Sequence, residues 1–285
     1  MLLDLLIGGS VNGAFYALLA LGFSLMFGVA RVVNLYHGSY YLLGAYFYYT
    51  YSVLAGFNLF LAAFCSLASV VLIAILIDKY LISRVRSSGT TVMILTLGLA
   101  SFTQYLVRIV FGAKYLSVRG FVDGGVDIMG VTVPSTRLLA LVISLVLIVA
   151  LWYFVRRTPA GKAIMAVAQD GLAATYMGIN SSFAFTLTTA ISAFLAGAAG
   201  IIVAPFLTVE PTMWLFPLIK AFAIVILGGL GSLEGSVIVA FLLGYIETFV
   251  SLAISTNLRE IVFLAIVFIV LIIKPTGLMG KGAQS

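Results

Sequence analysis

The sequence predicts an all-α fold, a polytopic transmembrane helix bundle of about eight to ten spans. Three observations carry that reading. Hydrophobic residues make up 63% of the 285-residue chain, and charged residues only 8%. Water-soluble domains carry about 25% charged residues, so this chain lacks the polar side chains to cover a globule in water. Its apolar residues also run continuously for roughly 20 positions at a time, the length a helix needs to cross the hydrocarbon core. A barrel strand would alternate instead, in segments of about 10 residues. Finally, no linker or low-complexity stretch divides the chain, so residues 1–285 are read as one membrane domain.

The apolar segments are 5–29, 38–56, 58–77, 90–112, 137–155, 183–204, 213–230, 235–253 and 259–274. The first follows Met1-Leu2-Leu3-Asp4, with no basic region and no cleavage pattern, and reads as a retained span rather than a signal peptide. It carries Gly9, Gly13 and Ala17 at helical spacing, and the sixth carries Ala193, Gly197 and Gly200. Small residues so spaced let helix backbones approach closely in lipid. The second segment crowds Tyr40, Tyr41, Tyr46, Tyr48, Tyr49 and Tyr51. An interfacial belt is the expectation for tyrosines near a boundary, although Tyr46 and Tyr48 lie too deep for it. Cys65 in the third segment has no second cysteine to pair with and reads as a small packing residue. Arg31 and Arg108 sit near segment ends, where they can snorkel to the interface.

Charge between the segments orients the chain. The 78–87 loop carries Lys79, Arg84 and Arg86 against Asp78; the 156–162 stretch carries Arg156, Arg157 and Lys162; the tail adds Lys274 and Lys281. The 113–136 loop instead balances Lys114 and Arg119 against Asp123 and Asp127. Lys and Arg collect in cytoplasmic loops, so the basic loops and the C-terminus are expected inside and the N-terminus outside. The net charge of +6 then reflects orientation rather than a nucleic-acid partner.

Two polar breaks interrupt the apolar pattern. Asn34-Leu35-Tyr36-His37 precedes Gly38-Ser39, and Gly231-Ser232-Leu233-Glu234 precedes Gly235-Ser236. They read either as two Gly-rich loops or as related, interrupted segments in the two halves of inverted repeats, the arrangement that marks a transporter's substrate path. On the second reading Asn34, His37, Ser39, Ser232 and Ser236 are the candidate path contacts. Lys220 and Glu247 lie inside consecutive apolar segments. A charge there costs ~2.5–3.5 kcal/mol on insertion scales, so the two are expected to pair and fix the packing, the alternative being direct contact with substrate.

Several chemistries are excluded. Gly161-Lys162-Ala163 and Gly280-Lys281-Gly282 do not complete a phosphate-binding loop, so ATP hydrolysis is not expected on this chain. One His and one Cys far apart make no metal site. Gly229 to Gly235 misses the dinucleotide spacing by one residue. An intramembrane serine protease would need His37 to reach Ser232 from another helix. No catalytic residues and no cofactor are assigned.

The cytoplasmic stretch at about 156–181 is the most informative. Arg157-Thr158-Pro159-Ala160-Gly161-Lys162 leads into an alanine-rich run that closes on Met177-Gly178-Ile179-Asn180. Pro159 suits a helix start, Gly171 a break, and Gly178 a stop. Taken alone, the stretch reads either as two short helices with small faces or as an amphipathic helix in the headgroups.

Leu172-Ala173-Ala174, three residues and Gly178 resemble the E-A-A-x-x-x-G coupling loop of ABC importer permeases, with Leu172 where Glu is usual. The chain more closely resembles the branched-chain amino-acid permease family, and specifically its shorter member. The likeness runs through Tyr16-Ala17-Leu18-Leu19-Ala20-Leu21-Gly22, Asn34 to Gly38, Met177 to Asn180, Leu227 to Ser232 and Lys274 to Gly280. It implies a permease domain whose loop residues Gly161, Ala166, Leu172, Ala173, Ala174 and Gly178 dock ATPases. It also implies a second, longer permease, two cytoplasmic ABC ATPases, an extracytoplasmic binding protein and an inner or plasma membrane location. The competing expectation is a stand-alone secondary transporter or channel. That would need an ion relay, and the intramembrane acids reduce to Glu247, with Asp4 near one end.

Overall fold

The computed structural model describes residues 2–122, 124–128, 131–274 and 277–279. Asp123, Pro275, Thr276, Gly280 and Lys281, which contribute to the charge and tail patterns, lie outside the described residues. Each apolar segment becomes a helix: α1 (Leu2–Ala30), α2 (His37–Tyr49), α3 (Leu59–Ile77) continued by α4 (Ser83–Val85), and α5 (Gly89–Phe111). A small hairpin, β1 (Gly125–Ile128) with β2 (Val131–Pro134), precedes α6 (Ser135–Arg157), α7 (Pro159–Gln169) and α8 (Gly171–Tyr176). Then come α9 (Ser181–Val203), α10 (Leu215–Gly228), α11 (Leu233–Ala253) and α12 (Arg259–Ile273). Among the described residues, six helices are long and apolar enough to cross a membrane: α1, the continuous Leu59–Val85 helix, α5, α6, α9 and α11. α10 is apolar but shorter, and α2 continues through a π-helical turn at Thr50–Leu54.

Two of these helices form the centre. The best apolar windows of α1 and α9 are 78% buried, against 22% for Leu59–Val85, α5 and α6. Small residues explain the difference. Gly13 and Gly244 bring α1 and α11 into backbone contact, and Gly44 and Gly197 do the same for α2 and α9. With hydrocarbon on all sides, such close packing rather than the hydrophobic effect holds helices together. Tyr40, Tyr41, Tyr46 and Tyr48 are fully buried, because α2 is wrapped by α3, α5 and α9. The interfacial belt expected for the tyrosines near the start of this helix is therefore corrected: these side chains fill the core.

The packing repeats with opposite polarity. α1 lies against α9, α10 and α11, while α9 lies against α1, α2 and α3. α1 and α9 run antiparallel, with Thr189 beside Met26 and Ser192 beside Gly22. Within this repeat α2 corresponds to α10 and α3 to α11. The counterpart of the break before α2 is therefore the connection between α9 and α10. The glycine-rich 228–236 segment is instead a tight turn joining α10 to α11, closed by the Ser232 cap on Gly235.

The loops sort by charge. Arg31 touches the end of α7, Val32 lies against Gly89, Gly28 against Gly231, and Leu278 donates to Leu227. One end of the bundle thus collects Arg31, Lys79, Arg84, Arg86, Arg156, Arg157, Lys162 and Lys274 against Asp78, Asp170 and Glu234 among the described residues. At the opposite end a backbone bridge joins Leu116 to Val209 and the Phe60 and Phe121 rings meet. There Arg108, Lys114, Arg119, Arg137 and Arg259 face Asp4, Asp127, Glu210 and Glu260.

Candidate functional site

The loop at the basic end is two helices set by their caps. Thr158 accepts from Gly161 N–H at 3.0 Å, and Pro159 occupies the first turn of α7, where its missing N–H is harmless. Asp170, not Gly171, is the break: it ends α7 and its carboxylate accepts from the N–H groups of Leu172 and Ala173 at 2.9 and 3.0 Å, starting α8. Gly178 stops α8 at φ +83°, with Ile179 N–H returning to Ala174 O at 3.0 Å. That left-handed stop is strained for any residue with a Cβ.

Packing divides the loop residues into two faces. Gly161 is buried where a Cβ would lie 2.6 Å from the Val155 Cα, so it seats α7 on the end of α6. Ala174 is 5% exposed, and Ile164 and Val167 are buried beside it in the core. Of the residues read as ATPase contacts, Gly161 is thus taken up by the chain's own packing, while Ala174, though little exposed, lines a shallow groove with Ala166, Ala173 and Met177. Ala166 is partly buried, and Ala173 is exposed. The outward face carries Leu172, Tyr176 and Met177 at 75%, 88% and 85% exposure. The sequence reading assigns no contact to Tyr176 or Met177, although two large apolar residues before a glycine stop in a polar stretch are a usable signal.

Charged contacts tie this loop to the bundle. Arg31 donates to the carbonyls of Ala168 and Gln169 at 3.4 and 3.1 Å, capping the C-terminal end of α7. It was read as a snorkelling residue, since nothing in the sequence reveals a partner 138 positions away. Arg156 pairs with Glu234 at the start of α11, and its guanidinium lies over the Trp152 ring. These three side chains help line a groove of about 430 Å³, together with Lys162, Met165 and Gln169 among others. Asp78, buried at the end of α3, accepts from Arg86 at 2.8 Å and Thr186 at 2.7 Å.

The candidate path residues divide as well. Ser232 caps α11 and Ser236 bonds back to the Ser232 carbonyl at 2.8 Å, so both serve the turn. Asn34, His37 and Ser39 are buried around the start of α2. Asn34 accepts from Tyr36 N–H at 3.0 Å; His37 bridges Ser192 Oγ and Leu19 O, each at 3.0 Å. Leu19 and Ser192 each lie about eleven residues from the basic end of their helices. At 1.5 Å per residue that is roughly 16 Å, about half of a ~30 Å hydrocarbon core. The chain therefore re-enters after α1, and α2 begins at mid-depth. Trp214, which opens α10, lies against Gly38 at the same level.

A buried ionic cluster lies partly on the same helices, with Tyr16 about one turn from Leu19 on α1 and Lys220 on α10. Lys220 Nζ is 2.6 Å from Glu247 Oε1, with side-chain exposures of 11% and 4%. Tyr16 donates to the other Glu247 oxygen, and Lys220 donates to the Tyr16 hydroxyl at 3.0 Å. The ammonium also lies 5.5 Å from the Phe263 ring centroid. The sequence does not reveal that Tyr16 joins this pair, because a tyrosine in an apolar run carries no sign of its partner.

Known proteins resemble this chain over nearly its whole length. The high-affinity branched-chain amino acid transport system permease proteins LivH of Escherichia coli K12 and BraD of Pseudomonas aeruginosa are 26% and 27% identical to it. Each alignment spans 98% of this chain and 96% of the relative. The ribose import permease protein RbsC of Haemophilus influenzae is 28% identical over 51% of this chain and 46% of its own length. No solved structure matches the chain. A family model described as branched-chain amino acid transport system / permease component matches residues 5–271, and a bundle of apolar helices with a capped loop at its basic end belongs to that family of transport permeases.

Proposed function

We propose that this chain forms part of the translocation path of an ABC importer for branched-chain or related amino acids and works as a subunit, not as a stand-alone transporter. It sits in the inner or plasma membrane, with α7, α8 and the C-terminus in the cytoplasm and the N-terminus outside. The excess of cations at the end that carries the loop supports that orientation. ATP is hydrolysed on two cytoplasmic ATPases, a second, longer permease completes the path, and an extracytoplasmic binding protein delivers the substrate.

One observation carries this reading: the outward apolar tip of Leu172, Tyr176 and Met177 on an otherwise capped loop. Large apolar side chains held in water at a charged surface mark a protein contact. Family membership supplies the kind of partner, and Leu172 makes the contact apolar where relatives of the coupling-loop pattern use Glu. Inside the bundle, the path runs beside Asn34, His37 and Ser39, at the point where α2 and α10 both begin. Against the stand-alone alternative, Glu247, the acid within the apolar helices that a relay would use, is engaged by Lys220 and Tyr16.

The assembled importer, rebuilt in proteoliposomes with ATP inside and the binding protein outside, provides the test. Saturable, ATP-dependent uptake of labelled leucine, isoleucine or valine is expected, with urea and acidic amino acids as poor competitors. Ion-gradient uptake by this chain alone would contradict the proposal.

A further inference from the structure

Arg31 is the only non-glycine residue with a positive φ among the described residues, at +52°; the seven others are glycines. It ends α1, its N–H bonding back to Phe27 O at 2.7 Å. This is the position where helices favour glycine, because a Cβ clashes in the left-handed region. Arginine here therefore holds a costly conformation that glycine would relieve, and the side chain it adds makes a specific contact. That side chain reaches the carbonyls of Ala168 and Gln169, where the partial negative charge of the α7 dipole gathers.

The next residues run directly to the buried interruption. Val32 packs on Gly89, Leu35 N–H donates to Thr96 at 3.1 Å, and the Tyr36 hydroxyl meets Thr103 at 2.9 Å. His37 follows, fixed between α1 and α9. A short, strained, hydrogen-bonded segment thus joins the end of α7 to the mid-depth start of α2, without passing through the core of either helix.

We propose that Arg31 is a positioning residue for transport: through it, displacement of α7 moves the Asn34–Ser39 segment. It links the loop to the path and does not touch substrate. The proposal rests on the reading that the α7–α8 loop docks the ATPases. Its logic sets backbone and side chain against each other. Arg31→Gly removes the strain and the guanidinium together, Arg31→Ala removes only the guanidinium, and Arg31→Lys keeps a cation.

The experiment uses the complete reconstituted importer. It reads ATPase retention on purification, ATP hydrolysis, substrate transported per ATP, and thermal stability. Arg31→Gly is expected to retain the ATPases and to melt no lower than the parent. Its substrate-per-ATP ratio should fall by about five-fold or more, at the lower edge of typical allosteric couplings. Arg31→Ala should lose the same coupling, and Arg31→Lys should recover part of it. An unchanged ratio in Arg31→Gly and Arg31→Ala would overturn the proposal. So would loss of the ATPases from both variants, which would make Arg31 part of the docking surface. Failure of the docking reading itself is seen separately, with Arg31 intact, when substitutions at Leu172 and Met177 leave the ATPases bound.

Discussion

Glu247 shows how an expensive group is kept at the residue scale. Removing a charge from water costs several kcal/mol, and an ion pair offsets this only if the remaining hydrogen-bonding positions are also filled. Here Lys220 takes one carboxylate oxygen and Tyr16 the other, while the Tyr16 and Phe263 rings flank the ammonium. Removing one partner strands the other. Lys220→Met and Glu247→Gln should each destabilise the folded chain by ~3–5 kcal/mol, and the double variant should cost clearly less than their sum. Thermal melts of the four proteins in detergent check this; strict additivity would mean the pair contributes nothing as a pair. Lys220 and Glu247 stand out in sequence because charge is rare inside apolar runs. Tyr16 and Arg31 do not, because their partners lie on helices far along the chain.

At the scale of elements, the interruption before α2 matters most. Asn34-Leu35-Tyr36-His37 is legible as a polar break, but its depth is not: that depends on α1 and α9 placing Leu19 and Ser192 beside His37. The 228–236 segment ends on the same Gly-Ser pair as the first break but has a different role, since it closes the α10–α11 turn with a serine cap. Composition cannot separate a re-entrant break from a tight turn; only the packing of the flanking helices does. The same holds in the loop, where Ala173 is exposed and its neighbour Ala174 is buried. If the Asn34–Ser39 segment lines the path, a cysteine at Ser39 in a Cys65→Ala background should be nearly inert in the resting importer. Its labelling by a small hydrophilic thiol reagent should accelerate when substrate and ATP are both supplied. Equal inertness in every transport state would remove this segment from the path.

Across the whole molecule, two packing units of opposite polarity share α1 and α9 as a common centre, and every strongly basic connection falls at one end. The helical class and the alternation of the loops follow from hydropathy and Lys/Arg placement, which are local properties of the chain. The pairing within the repeat does not, because it is set by which small residues touch across the centre. The proposed function draws on both levels: the repeat places two half-depth helix starts together, and the basic end presents a capped loop with an apolar tip. The central claim is that this tip receives the ATPases' motion. A Leu172→Lys, Met177→Lys double variant tests it most directly, because both side chains are exposed and their loss leaves the core intact. Copurification with the ATPases and ATP-driven amino-acid uptake should be measured together in the reconstituted importer. The prediction is normal membrane insertion and thermal stability, with uptake reduced at least about ten-fold, as expected from losing roughly 1.4 kcal/mol or more of docking energy. Normal uptake with the ATPases still bound would contradict it.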